Sequence, residues 1–145
     1  MAGLIEEMFD RFMARQSRFF ERLPKKAKIK LSEAENKYAE LRITGPEGGI
    51  FYFKFTGQRL QKLTEVPDGK MDKFLFDGDS INYPGGDEVL FDVIDRSLSP
   101  RAAISRKYFR ANTDKIIYDT EEFAQAFEKF LDEMQSILGG KSKVG

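Results

Sequence analysis

The chain has 145 residues, 24 Lys+Arg balanced by 24 Asp+Glu, and neither Cys nor His. That is one domain's worth of chain, and its zero net charge excludes the general attraction for phosphate backbones on which sequence-independent nucleic-acid binding rests. With no Cys or His there is no disulfide, thiol nucleophile, imidazole metal ligand or histidine proton shuttle, and the composition suits a cytoplasmic protein.

Residues 3–23 have helical spacing, with Ile5, Met8, Phe9, Phe12, Phe19, Phe20 and Leu23 recurring at three- and four-residue steps. Arg11, Arg15, Arg18 and Arg22 lie mostly on the other side, and Pro24 ends the run. The apolar stripe is expected to pack on its own domain or to serve as a docking element for a protein partner, a dimer or a membrane surface. A basic run, KKAKIK at 25–30, follows as a solvated linker. From residue 38 the period changes to two. Ala39, Leu41 and Ile43 share one strand face, a glycine-rich turn occupies 45–49, and Phe51, Phe53 and Phe55 share one face of a second strand over 50–55. Gly57-Gln58 turns into a third strand over 59–66, and 73–76 is a short apolar fourth. Hairpin links make an antiparallel meander and exclude a doubly wound nucleotide-binding sheet.

Helical spacing returns over 86–97 through Val89, Leu90, Val93 and Ile94. Ser99-Pro100 opens a short helix with Pro in its first turn. Residues 107–111 suit a fifth strand. A last helix follows, with Asp119 as cap, Glu122 at capping-box spacing, and a stripe of Phe123, Phe127, Phe130, Leu131, Met134 and Leu138. Residues 139–145 read as a frayed tail. The chain thus divides into an N-terminal helix and linker (1–35), a main domain (36–138) and a flexible end (139–145).

No run reaches the ~20 apolar residues that cross a bilayer, and the opening MAGLIEEMFD has acids where a secretion signal is basic. No stable membrane insertion is expected. Asp77-Gly78-Asp79-Ser80 resembles the start of a calcium loop, but the fifth and sixth positions are Ile81 and Asn82, so a strand-end turn is the better reading. The glycines form no phosphate cradle, and no pair of acids is singled out for proton transfer. The expectation is a non-enzyme with no catalytic residue, no metal and no cofactor. What stands out is 14 Phe and 5 Tyr. Such rings supply a core, and some can line an apolar cavity.

Three stretches carry a resemblance: LRITGPEGGIFYFKFTGQRL at 41–60, KFLFDGDSI at 73–81, and LFDVIDRSLSPRAAISRKYFRANTD at 90–114. In order and punctuation they resemble the sterol carrier protein type two family of non-specific lipid-transfer domains. Ser97 to Ala103 is similar to that family's turn into a short helix, and Ser97 and Arg106 stand where the family has glycine. The resemblance implies an α+β fold: a five-stranded, mainly antiparallel sheet with helices on one face and an apolar tunnel between. It implies a lipid-binding or lipid-carrier protein whose partner is an apolar small molecule or lipid. The expected lining is Phe51, Phe53 and Phe55 from the second strand, Leu90, Val93 and Ile94 from the central helix, Phe109 or Arg110 from the fifth strand, and Phe123, Phe127 and Phe130 from the last helix. Arg110 would meet an anionic head group if it points inward. The rival reading is a non-catalytic interaction module on the same fold, its tunnel filled by its own side chains.

Overall fold

The computed structural model describes residues 3–26, 28, 37–56, 59–111 and 121–144, with side chains of the last stretch described over 125–138. The predicted turn at Gly57-Gln58, part of the 25–30 linker, the cap at Asp119 and the side chains of Glu122 and Phe123 lie outside the described residues. The elements are α1 (Leu4–Ala14), α2 (Gln16–Arg22), β1 (Lys37–Ile43), β2 (Gly49–Phe55), β3 (Leu60–Leu63), β4 (Asp72–Phe76), α3 (Gly86–Ile94), α4 (Pro100–Ser105), β5 (Phe109–Ala111) and α5 (Glu121–Val144).

The fold is α+β. The described strands form a five-stranded sheet of order β3-β2-β1-β4-β5. The meander is as expected: β1 pairs antiparallel with β2, and β2 with β3. β4 also pairs antiparallel with β5, but it lies parallel to β1, so the sheet is mixed. The parallel pair follows from the route of the chain. β3 ends level with Glu40 of β1 and β4 begins level with Ala39, so the link at 64–71 crosses β2 and β1 rather than turning back as a hairpin.

Strand alternation puts Ile43, Phe51, Phe53, Phe76 and Phe109 on one buried face. Helix α1 covers the β2 side of it. Ile5, Met8, Phe9 and Phe12 are almost entirely buried, and the Phe9 ring stands edge-on to Phe51 at 5.3 Å and to Phe53 at 5.9 Å. Phe20 of α2 lies 6.1 Å from Phe55. The start of α1 is pinned to the β1–β2 turn, where the Glu47 carboxylate accepts from the Leu4 N–H at 2.7 Å. The apolar stripe of the leading helix is therefore inside this chain's own core.

The single helix predicted over 3–23 is broken at Arg15, whose backbone leaves the helical region (φ −131°, ψ 24°). The break serves Gln16. This residue is 5% exposed, and its carboxamide faces the outer edge of β3. Oε1 accepts from the Leu60 N–H at 2.7 Å, while Nε2 donates to the Leu60 carbonyl at 2.9 Å. One side chain thus stands in for a neighbouring strand and closes an edge that would otherwise invite pairing. Lys62 adds to the join, donating to Asp10 at 2.8 Å and Glu6 at 2.9 Å.

Thr44 gathers β1, β4 and α3. Its hydroxyl donates to Asp77 at 2.9 Å and accepts from the Gly86 N–H at 2.8 Å, and its carbonyl accepts from the Asp87 N–H at 2.9 Å. Gly86 permits this approach, because a Cβ there would collide with the Phe76 carbonyl. Helix α3 stops at Ile94, short of the predicted 97, since Arg96 takes a left-handed backbone (φ 72°). Helix α4 is capped by Ser99, whose Oγ accepts from the Ala102 N–H at 3.1 Å. It ends in a Schellman turn, with Tyr108 N–H donating to Ala103 O at 2.9 Å and Lys107 N–H to Ile104 O at 3.0 Å. Lys107 occupies the position that glycine usually fills, at φ 64°. This turn delays the fifth strand to Phe109, against the expected 107.

Helix α5 packs against α1, α2 and α3. Leu131, Met134 and Ile137 enter the core, and ion pairs hold its polar side. Arg96 reaches Glu128 at 2.7 Å and Asp132 at 3.1 Å, and Arg22 and Arg15 reach Glu133 at 3.5 and 3.6 Å. The backbone stays helical to Val144, through the glycines at 139 and 140 where a frayed tail was expected. A helical Gly costs about 1 kcal/mol relative to Ala, which weakens a helix without forbidding it.

Candidate functional site

A cavity of about 270 Å³ lies where α3, α4 and α5 meet the β4–β5 end of the sheet. Phe76 of β4 and Phe109 of β5 supply rings tilted by 32° to each other, their centroids 4.4 Å apart. Val93 comes from α3, Pro100, Ala103 and Ile104 from α4, and Phe127 from α5. Three polar residues complete the lining, Ser99, Arg101 and Glu128. All three are exposed, so they mark where the cavity meets solvent. The Glu128 carboxylate is taken by Arg96, and the Ser99 oxygen by the Ala102 N–H.

Local sequence explains the hollow. Pro100 starts α4 without an N–H to satisfy, and the small Ala103 faces inward at 2% exposure, so the short helix stands off the sheet without a large side chain to fill the gap. The Schellman turn at Lys107 then brings Tyr108 and Phe109 inward in succession, at 6% and 9% exposure. Two consecutive buried residues break the strand alternation and carry the Phe109 ring to the cavity.

Of the lining expected from sequence, Val93, Phe109 and Phe127 are brought together here. Phe51, Phe53 and Phe55 are not: rings of α1 and α2 pack against them. Leu90 and Ile94 are buried in the general core. Phe130 packs on Phe12 at 5.1 Å and Phe19 at 6.3 Å. The Phe123 side chain is outside the described residues. Arg110 is exposed and pairs with Asp77 at 3.3 Å, on the sheet face away from the cavity, because Phe109 takes the inward position opposite Phe76. Of the two orientations expected for the fifth strand, Phe109 is inward and Arg110 outward. Phe76, Ser99, Pro100, Arg101, Ala103, Ile104 and Glu128 are lining residues that periodicity missed. A signal for most of them was present in the 97–103 turn motif.

The acidic stretch after β4 is a built turn. Asp79 Oδ1 accepts from the N–H groups of Asn82 at 2.7 Å, Ile81 at 2.9 Å and Tyr83 at 3.0 Å, and Oδ2 accepts from the Tyr108 hydroxyl at 2.6 Å. These bonds, that from Tyr108 foremost, hold the Asp79 carboxyl well below the usual carboxylate range. The same bond raises Tyr108. Tyr83 donates to Asp92 at 2.7 Å and is pushed up to about 12 by that bond and by burial. At Lys62 burial works to lower the ammonium, and the hydrogen bonds to Asp10 and Glu6 outweigh it, so its pKa is raised. Each of these shifts comes from a group locked to its neighbour, which suits a scaffold. Among the described residues there is no group of Asp and Glu arranged to hold a metal ion, and no helix long and apolar enough to cross a membrane.

No family model matches the chain, and no curated protein does. Among solved structures it is similar to UbiJ-SCP2, a ubiquinone synthesis protein, at 14% identity and a TM-score of 0.49, over 93% of this chain and 94% of that one. It is also similar to the sterol carrier protein domain 2 of Helicoverpa armigera, at 15% identity and a TM-score of 0.35, over 82% of this chain and 87% of the other.

Proposed function

We propose that this protein is a non-catalytic carrier that shelters the apolar part of a small lipid-like molecule in the cavity between α4, α5 and the β4–β5 end of the sheet. The observation that carries the reading is the cavity itself: about 270 Å³ walled by Phe76, Val93, Ala103, Ile104, Phe109 and Phe127. Apolar walls favour a guest by removing hydrocarbon from water, at about 0.8 kcal/mol per CH₂. A dry cavity of about 150 Å³ takes benzene, about 25 Å³ per carbon, so 270 Å³ suits roughly eleven carbons. That is one alkyl chain or a single substituted ring rather than a whole polycyclic sterol. Native mass spectrometry of the purified chain, before and after adding 1-decanol, tests it. A retained apolar mass, or a one-to-one decanol complex, is expected; a chain that carries no adduct in either state sinks the reading.

One observation favours a second reading. The space over β2, where the tunnel was expected, is filled by Phe9, Phe12, Phe19 and Phe20. An interaction module with a closed interior would look like this over half its sheet, and it would stay free of adduct in the same experiment.

A further inference from the structure

We infer that the guest carries an anionic head group, a carboxylate or a phosphate, and that Arg101 at the cavity mouth selects it. This inference rests on the proposed carrier function and goes beyond it by naming the head group and the residue that reads it. Three observations converge. Arg101 lines the cavity and is exposed, which places the residue where the cavity meets solvent and the head of a buried tail would emerge. Glu128, the acid of the same mouth, is already bound at 2.7 Å by Arg96, which reaches in from the end of α3. Arg101 itself forms no hydrogen bond or ion pair among the described residues, so none of them competes for its charge beside the apolar hollow. A guanidinium presents a planar fork of N–H donors that matches the two oxygens of a carboxylate or phosphate, and a hydroxyl offers no such match. The wall chemistry sets the length of the tail and the mouth sets the charge of its head.

The test is displacement of the neutral dye Nile red from the full chain by sodium decanoate, decyl phosphate and 1-decanol, which share one tail. An exposed pair at a cavity rim gives about a fivefold preference for an anion over the alcohol. That preference should shrink at about 1 M salt, where the Debye length is about 3 Å. In Arg101→Gln the anions should fall to the level of 1-decanol, with 1-decanol itself unchanged; Arg101→Lys should keep part of the preference. Whichever anion wins in the wild type names the head group. Equal affinities for all three ligands in the wild type overturn the inference and leave the carrier function standing. So does a preference that survives in Arg101→Gln. Failure of all three ligands to displace the dye, or to bind by calorimetry, counts against the carrier function itself.

Discussion

Replacing Ile104 with Phe should shorten the longest tail that the cavity accepts. Ile104 lines the cavity from α4, and the change adds about three carbons to a side chain already pointing at the space. Each added carbon takes the place of about one ligand carbon, and each buried CH₂ gives about 0.8 kcal/mol. A long-chain ligand should therefore lose about 2.4 kcal/mol, roughly a fiftyfold loss of affinity. The assay is calorimetric titration with a 1-alkanol series. In the wild type, affinity should rise about fourfold per carbon and level off at roughly eleven carbons. In Ile104→Phe the plateau should come about three carbons earlier. The free protein should melt no lower, because the added ring fills a void rather than crowding a packed core. An unchanged plateau in a normally folded variant would refute the reasoning, since the tail would then lie elsewhere.

The scaffold makes its own predictions. Gln16→Leu strips the Leu60 N–H and carbonyl of their partners and should cost about 2 kcal/mol, lowering the melting temperature by roughly 5–10 °C by calorimetry. Lys107→Gly relieves a left-handed backbone and should raise stability by about 0.5–1 kcal/mol in a urea titration. Asp79 titrates lower when folded than unfolded, so its contribution is complete above about pH 4 and is lost as pH falls toward its folded-state value. Asp79→Asn should consequently melt below the wild type at pH 7, with a gap that narrows as the pH drops through 4 toward 2.

The sheet was legible because its signals are local. Alternation at 38–43 and 50–55, with a glycine turn between them, specifies the hairpin whatever lies above it. The cavity was not, because two Phe residues with the same spacing can face a partner ring or a void. Phe53 meets Phe9 and lies in the packed core, while Phe127, beside Phe130, also lines the cavity, and only the docking of α1 and α4 makes that difference. Arg110 shows the same limit on a smaller scale. Counting alternation from Tyr108 turns it inward, but the Schellman turn buries Tyr108 and Phe109 in succession and resets the parity. Gln16 was hidden for a third reason: its partners are backbone atoms 44 positions away, and a polar residue on a helix carries no mark of such a task.

The most direct measurement is methyl NMR of the chain titrated with 1-decanol, reading contacts between the alkyl chain and assigned methyl groups. Val93, Ala103 and Ile104 should show intermolecular contacts, while Ile5 and Ile43 in the packed core stay silent. Decanol contacts on the β2 side of the sheet, or none at the three cavity methyls at saturating ligand, would contradict the account.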